Sequence, residues 1–135
     1  ATDDPARLEG FSDFGRHLGM LLQIMDDFED LKADSGKALP VLTPEISHSL
    51  AVAYAAGVLP SAGKEHLEQC LQALPGDQAA ASELIQLIDQ SGATLYLLAE
   101  IERQVGLGLA ALKMAKPEAP ARERLAVLLN ELGKI

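Results

Sequence analysis

The sequence predicts an all-α fold, a bundle of several helices joined by short connections. Three observations carry this. Apolar residues recur at three- and four-residue steps along nearly the whole chain, no convincing alternating segment interrupts them, and proline or glycine separates one periodic stretch from the next. The 135 residues are enough for one ordinary domain and too few for two, so a single all-helical domain over residues 1–135 is expected. Apolar residues make up 48% with no Trp, which supplies a core of mainly Leu, Ala, Ile and Val.

Asp4-Pro5 reads as a helix cap followed by proline at the first helical position. From there Leu8, Phe11, Phe14, Leu18, Leu21, Leu22, Met25, Phe28 and Leu31 keep helical spacing, so the first helix is expected to run to about Lys32 and end in the loop Asp34-Ser35-Gly36-Lys37. Thr43-Pro44 repeats the cap-plus-proline signal and opens a second helix running to about Val58. Pro60 and Gly63 punctuate the chain around a third helix, roughly Ser61 to Leu74. Pro75-Gly76-Asp77 is a turn whose Asp77 caps a fourth helix ending near Gln90. Ser91-Gly92 breaks the pattern before a long fifth helix carrying Leu95, Leu98, Ile101, Val105, Leu109 and Leu112. Pro117 and Pro120 set off a last helix with Leu125, Leu128, Leu129 and Leu132.

Composition excludes several classes of function. With 11 basic and 20 acidic side chains the net charge is −9, so nucleic-acid binding through a basic patch is not expected. Cys70 is the single cysteine, which excludes an internal disulfide framework and a thiolate-rich metal site and fits the reducing cytoplasm. No membrane span is expected, because the best candidate, Ile46 to Gly63, is broken by Ser47, His48, Ser49, Pro60 and Ser61. No secretory signal precedes the fold, and the chain opens Ala1-Thr2-Asp3 without Met, which leaves open a short processed tail or a larger missing N-terminal part.

The acidity is concentrated. Residues 1–34 hold nine acids against Arg7, Arg16 and Lys32, a net −6. Within them Gln23, Asp26, Asp27 and Asp30 fall three, one and three residues apart and so share one helical face, which Gly15 and Gly19 extend upstream. Carboxylates so placed repel one another by roughly 0.2–0.5 kcal/mol per pair. They also lie near the helix C-terminus, where the dipole disfavours anions. A divalent cation removes both penalties, and oxygen ligands of this kind suit Mg²⁺, which takes one or two carboxylates together with waters and phosphate oxygens. A solvated acidic face without any ligand is the plainer alternative.

The longer string widens the basis for a reading. Phe14-Gly15-Arg16-His17-Leu18-Gly19 followed by Gln23-Ile24-Met25-Asp26-Asp27-Phe28-Glu29-Asp30 resembles the second aspartate-rich motif of the trans-isoprenyl diphosphate synthases (polyprenyl synthetases). Ser35-Gly36-Lys37-Ala38-Leu39-Pro40 is similar to that family's following glycine-lysine stretch, Ser91-Gly92-Ala93 to the start of a late helix, and Ala110-Ala111-Leu112 with Arg122 and Leu125 to its closing pattern. The resemblance covers the C-terminal half of the isoprenoid synthase fold. It implies Mg²⁺-dependent prenyl transfer from an allylic diphosphate to isopentenyl diphosphate. Asp26 and Asp30 would hold Mg²⁺, Asp27 would be an outer or alternate ligand, and Gln23 and Lys37 would bind substrate. Leu22 stands where the family has Phe, the loop after Asp30 is shorter, and the first aspartate-rich motif and its paired arginines are absent. The isolated chain is therefore expected to be inactive and to act with a partner subunit or as a homo-oligomer. Phe11, Leu18, Leu22 and Ile24 would then face water when alone. The competing expectation is a non-catalytic helical subunit that keeps the scaffold and binds a partner.

Other candidates carry little at this level. His17, His48 and His66 fall in three different helices without partners at metal-ligand spacing and read as core or surface residues. Cys70 reads as an inert thiol on an apolar face. Glu100, Glu102 and Arg103 read as a solvated face with local pairing, and Gly106-Leu107-Gly108 as a place for close helix packing or a kink.

Overall fold

In the computed structural model, which describes residues 4–31, 44–74 and 76–134, the Asp4-Pro5 and Asp77 signals start helices where the sequence places them. Asp4 Oδ1 accepts the Ala6 N–H at 3.0 Å, and α1 runs Pro5–Leu31. A 3-10 turn at Pro44–His48 leads to α2 (Leu50–Val58), followed by α3 (Ser61–Gln72), α4 (Gln78–Gln90), α5 (Ala93–Ala115) and α6 (Ala119–Leu132). No strand occurs among the described residues, and the protein is an all-α bundle.

The expected second helix is two elements. Ser49 adopts extended backbone angles (φ −71°, ψ 153°), and its hydroxyl accepts the Val52 N–H at 3.2 Å, so a new helix starts there and the preceding turn is 3-10. A serine that bonds a backbone N–H three residues on competes with helix continuation, which is why it caps rather than extends. Asp77 caps α4 as expected, accepting the Ala80 N–H at 3.1 Å, and Gly92 (φ +85°) makes the turn before α5.

The chain forms two compact units. One holds the residues up to Met25 with those from Ala99 onward; the other is Asp26–Leu98. In the second unit α2, α3 and α4 pack together over Val52, Leu67, Leu84 and Ile88, each nearly or fully buried. Full burial of a leucine is worth about 1.5–3 kcal/mol, so this cluster accounts for a large part of the unit's cohesion. Tyr54 and Tyr96 stack there with ring centroids 4.4 Å apart.

In the first unit α1 meets the end of α5. A Cβ on Gly10 would lie 2.8 Å from the Ala115 Cα and 2.9 Å from the Met114 carbonyl carbon, so only glycine allows the two backbones this close. Arg7 then caps α5, its Nε donating to the Ala115 carbonyl at 3.0 Å and its Nη2 to the Lys116 carbonyl at 3.1 Å. Gly108 packs under Leu129 of α6, with a Cβ position 3.0 Å from Leu129 Cδ1, which is the close packing expected of the Gly106–Gly108 stretch; Gly106 itself is open. Of the α1 residues expected at the surface, Leu22 is exposed but Ile24 is buried, because it shares the inward stripe of Phe14 and Leu21.

Candidate functional site

Helix α1 carries Gln23, Asp26, Asp27 and Asp30 on its last turns, as the spacing predicts. Gln23 and Asp26 are exposed and Asp27 is half-buried; the Asp30 side chain and the whole of Lys37 lie outside the described residues. Upstream on the same helix, a methyl group added at Gly15 or Gly19 would meet nothing within 4 Å.

Asp27 and Asp26 are adjacent in sequence but differ in situation. Asp27 Oδ2 accepts the Leu50 backbone N–H at 3.0 Å, at the start of α2. With the Ser49 hydroxyl on Val52, this satisfies two of the four N–H groups that a helix start leaves without a partner. The carboxylate also lies at the positive end of that helix, where an anion stabilises the helix start. Asp27 therefore has a role in the fold that requires no cation. Asp26 has none: among the described residues its carboxylate has no hydrogen-bond or ion-pair partner. No lysine or arginine occupies the last turn of α1 to offset the charge. An exposed carboxylate at a helix end that disfavours anions is chemically disposed to take a hard cation.

The chain is similar to a short chain isoprenyl diphosphate synthase. That protein, from Methanothermobacter thermautotrophicus, is 26% identical over 127 residues, which cover 93% of this chain and 39% of the relative. The chain thus spans about two-fifths of the length of the curated relative it matches. The similarity supports a distant relationship to the prenyltransferase family. No family profile matches the chain, and no solved structure matches it.

Two further groups of polar residues are brought together in ways the sequence does not disclose. In the first unit His17 Nδ1 donates to Gln104 Oε1 at 2.7 Å, Gln104 Nε2 donates to Glu100 Oε1 at 2.9 Å, and Arg103 donates to the same oxygen at 2.8 Å. Gln104 is buried, and this chain of bonds satisfies its amide. The local pairing expected of Glu100 and Arg103 is present, and His17 is a partner in it rather than an isolated ring.

In the second unit His66 does have partners at ligand spacing, contrary to the reading of its sequence. Its Nε2 donates to Glu83 Oε2 at 2.7 Å, and the Cys70 thiol reaches the same oxygen at 3.8 Å. Burial pushes the Cys70 thiol above its ordinary range, and the charge and hydrogen bond of Glu83, with the more distant Asp77, push the same way. The signal available in the sequence was the i,i+4 spacing of His66 and Cys70; what it lacked was the neighbouring helix.

No helix of the described residues is long and apolar enough to cross a membrane.

Proposed function

We propose that these 135 residues are the C-terminal part of an isoprenyl diphosphate synthase, and that the outer face of the α1 aspartates binds the Mg²⁺-bound diphosphate of an allylic substrate. The observation that carries this reading is Asp26, exposed and without a partner among the described residues, one helical turn before Asp30 within a string that resembles the family motif. The distant relative, matching over 93% of the chain, points the same way. The donor set fits the ion, since carboxylate oxygens on one helix face are what Mg²⁺ accepts.

In this reading Asp26 and Asp30 hold Mg²⁺, which when bound neutralises the charge developing on the departing diphosphate. Asp27 remains tied to Leu50 and fixes the end of α1, standing as an outer or alternate ligand. Gln23, one turn before Asp27, contacts the substrate beside its diphosphate. Gly15 and Gly19, open on the surface of α1, let substrate approach the helix backbone. Lys37 contributes a cation to the phosphates. Prenyl transfer to isopentenyl diphosphate needs a second substrate site and further metal ligands from beyond these residues, supplied by the rest of the protein, a partner subunit or a second copy. The exposed Leu8, Met20 and Leu22 of α1 are consistent with such an association. Function in the cytoplasm accords with the single, unpaired Cys70.

A non-catalytic helical subunit is the second reading, favoured by one observation: the Asp27–Leu50 bond accounts for part of the acidic stripe through folding alone. Calorimetric titration of the chain with pyrophosphate separates the two. Binding that requires Mg²⁺ supports the half-site; absence of binding with and without Mg²⁺ supports the scaffold.

A further inference from the structure

We infer that His66, Cys70 and Glu83 form a binding site for a borderline transition-metal dication, zinc(II) by preference, on the outer edge of the α3–α4 pair. The site is separate from the α1 aspartates and does not depend on the reading given to them.

The placement comes from the helices. His66 and Cys70 lie one turn apart on α3 and so project along one face, and Glu83 reaches them from α4. Burial of Leu67 between the two α3 residues, and of Leu84 next to Glu83, fixes these helices against each other. One ligand atom from each residue lies within 4.8 Å of both others.

The distances suit an ion with little rearrangement. Zinc bonds of about 2.0–2.3 Å in a tetrahedral shell hold N, O and S donors about 3.3–3.6 Å apart. Here the imidazole nitrogen and the carboxylate oxygen are 2.7 Å apart, and the sulfur is 3.8 Å from that oxygen. The pair that must open is the one free to do so, because the His66 and Glu83 side chains are 46% and 52% exposed while Cys70 is buried.

Donor chemistry selects the metal class. An imidazole, a thiolate and a carboxylate together favour zinc and its neighbours over Mg²⁺ or Ca²⁺, which take oxygen alone. On binding, the ion replaces the thiol proton, which passes to solvent, and the thiolate and carboxylate then balance its two positive charges. With three protein donors and two of them at the surface, the fourth position faces water. That arrangement belongs to zinc sites that accept an exchangeable water or anion, not to closed structural sites.

Cobalt(II) titration of the full, untagged, reduced and chelator-treated chain tests this. The expected result is one cobalt per chain, with a thiolate-to-cobalt charge-transfer band and the intense visible bands of four-coordinate cobalt. Zinc(II) should displace the ion and excess Mg²⁺ should not. Cys70→Ser should abolish the charge-transfer band. His66→Ala and Glu83→Gln, both at exposed positions, should each weaken binding by at least about tenfold with circular dichroism unchanged. Lack of a charge-transfer band, a ratio of one ion to two chains, or affinity unaltered in both His66→Ala and Glu83→Gln would overturn the assignment. The last two variants decide the question even if Cys70→Ser fails to fold.

Discussion

The Asp27 carboxylate accepts the Leu50 backbone N–H at 3.0 Å, so one aspartate of the α1 stripe is fastened to the start of α2. This bond divides neighbouring residues of like chemistry into two roles. Asp27→Ala should lower stability by about 1–2 kcal/mol, the usual cost of losing a helix-capping acceptor. Asp26→Ala should shift stability by no more than about 0.5 kcal/mol, as for an ordinary surface substitution. Urea unfolding of the two variants checks this, and equal losses would contradict the distinction.

The glycines of α1 should respond with opposite signs. Gly15→Ala and Gly19→Ala meet open space and should stabilise the protein by about 0.5–1 kcal/mol, because alanine restricts the unfolded chain and favours helix. Gly10→Ala would press a methyl group into the backbone at Ala115 and should destabilise by about 1–3 kcal/mol or more. Thermal unfolding midpoints report all three. If Gly15 and Gly19 also lie under bound substrate, their alanine variants should gain stability while losing pyrophosphate affinity.

Gln104 joins His17 to Glu100 inside the first unit. Gln104→Leu takes the half-buried His17 ring's acceptor away and leaves Glu100 with Arg103 alone, and should cost about 0.5–1.5 kcal/mol. Combining it with His17→Phe removes one orphaned partner, so the double variant should recover part of that loss. A double-mutant cycle in urea measures the coupling.

Lys116 follows the last turn of α5 with φ +46°, a conformation that favours glycine. Lys116→Gly keeps the backbone carbonyl that Arg7 contacts and should raise stability by up to about 1 kcal/mol, read from the unfolding midpoint.

Much of this architecture is legible in the sequence because local rules and tertiary packing agree. Asp4-Pro5 and Asp77 mark helix starts through bonds made within a few residues, and Pro117, which has no N–H to continue a helix, lies between α5 and α6. Ser49 was also legible, since a serine before the apolar run Leu50–Val58 is a capping signal; the uncharged run from Ile46 masks the break. The acidic face could be read because helical periodicity alone places Gln23, Asp26, Asp27 and Asp30 together.

What could not be read depends on a second helix. The bond from Asp27 to Leu50 crosses 23 residues, and the pair of bonds from Arg7 to the end of α5 crosses 108 and 109. Gly10 looks like a helix weakness until Ala115 stands beside it, and Glu83 becomes a neighbour of His66 and Cys70 only when α4 packs on α3.

The most direct test of the α1 aspartate face is to map where a divalent ion sits when pyrophosphate is present. Mn²⁺ replaces Mg²⁺ and broadens the amide NMR signals of nearby residues. With Mn²⁺ and pyrophosphate together, the strongest broadening should centre on Gln23, Asp26, Asp27 and Asp30, and it should disappear in Asp26→Ala. Broadening centred on His66 and Glu83 instead, or none that depends on pyrophosphate, would contradict the assignment of a diphosphate site to α1.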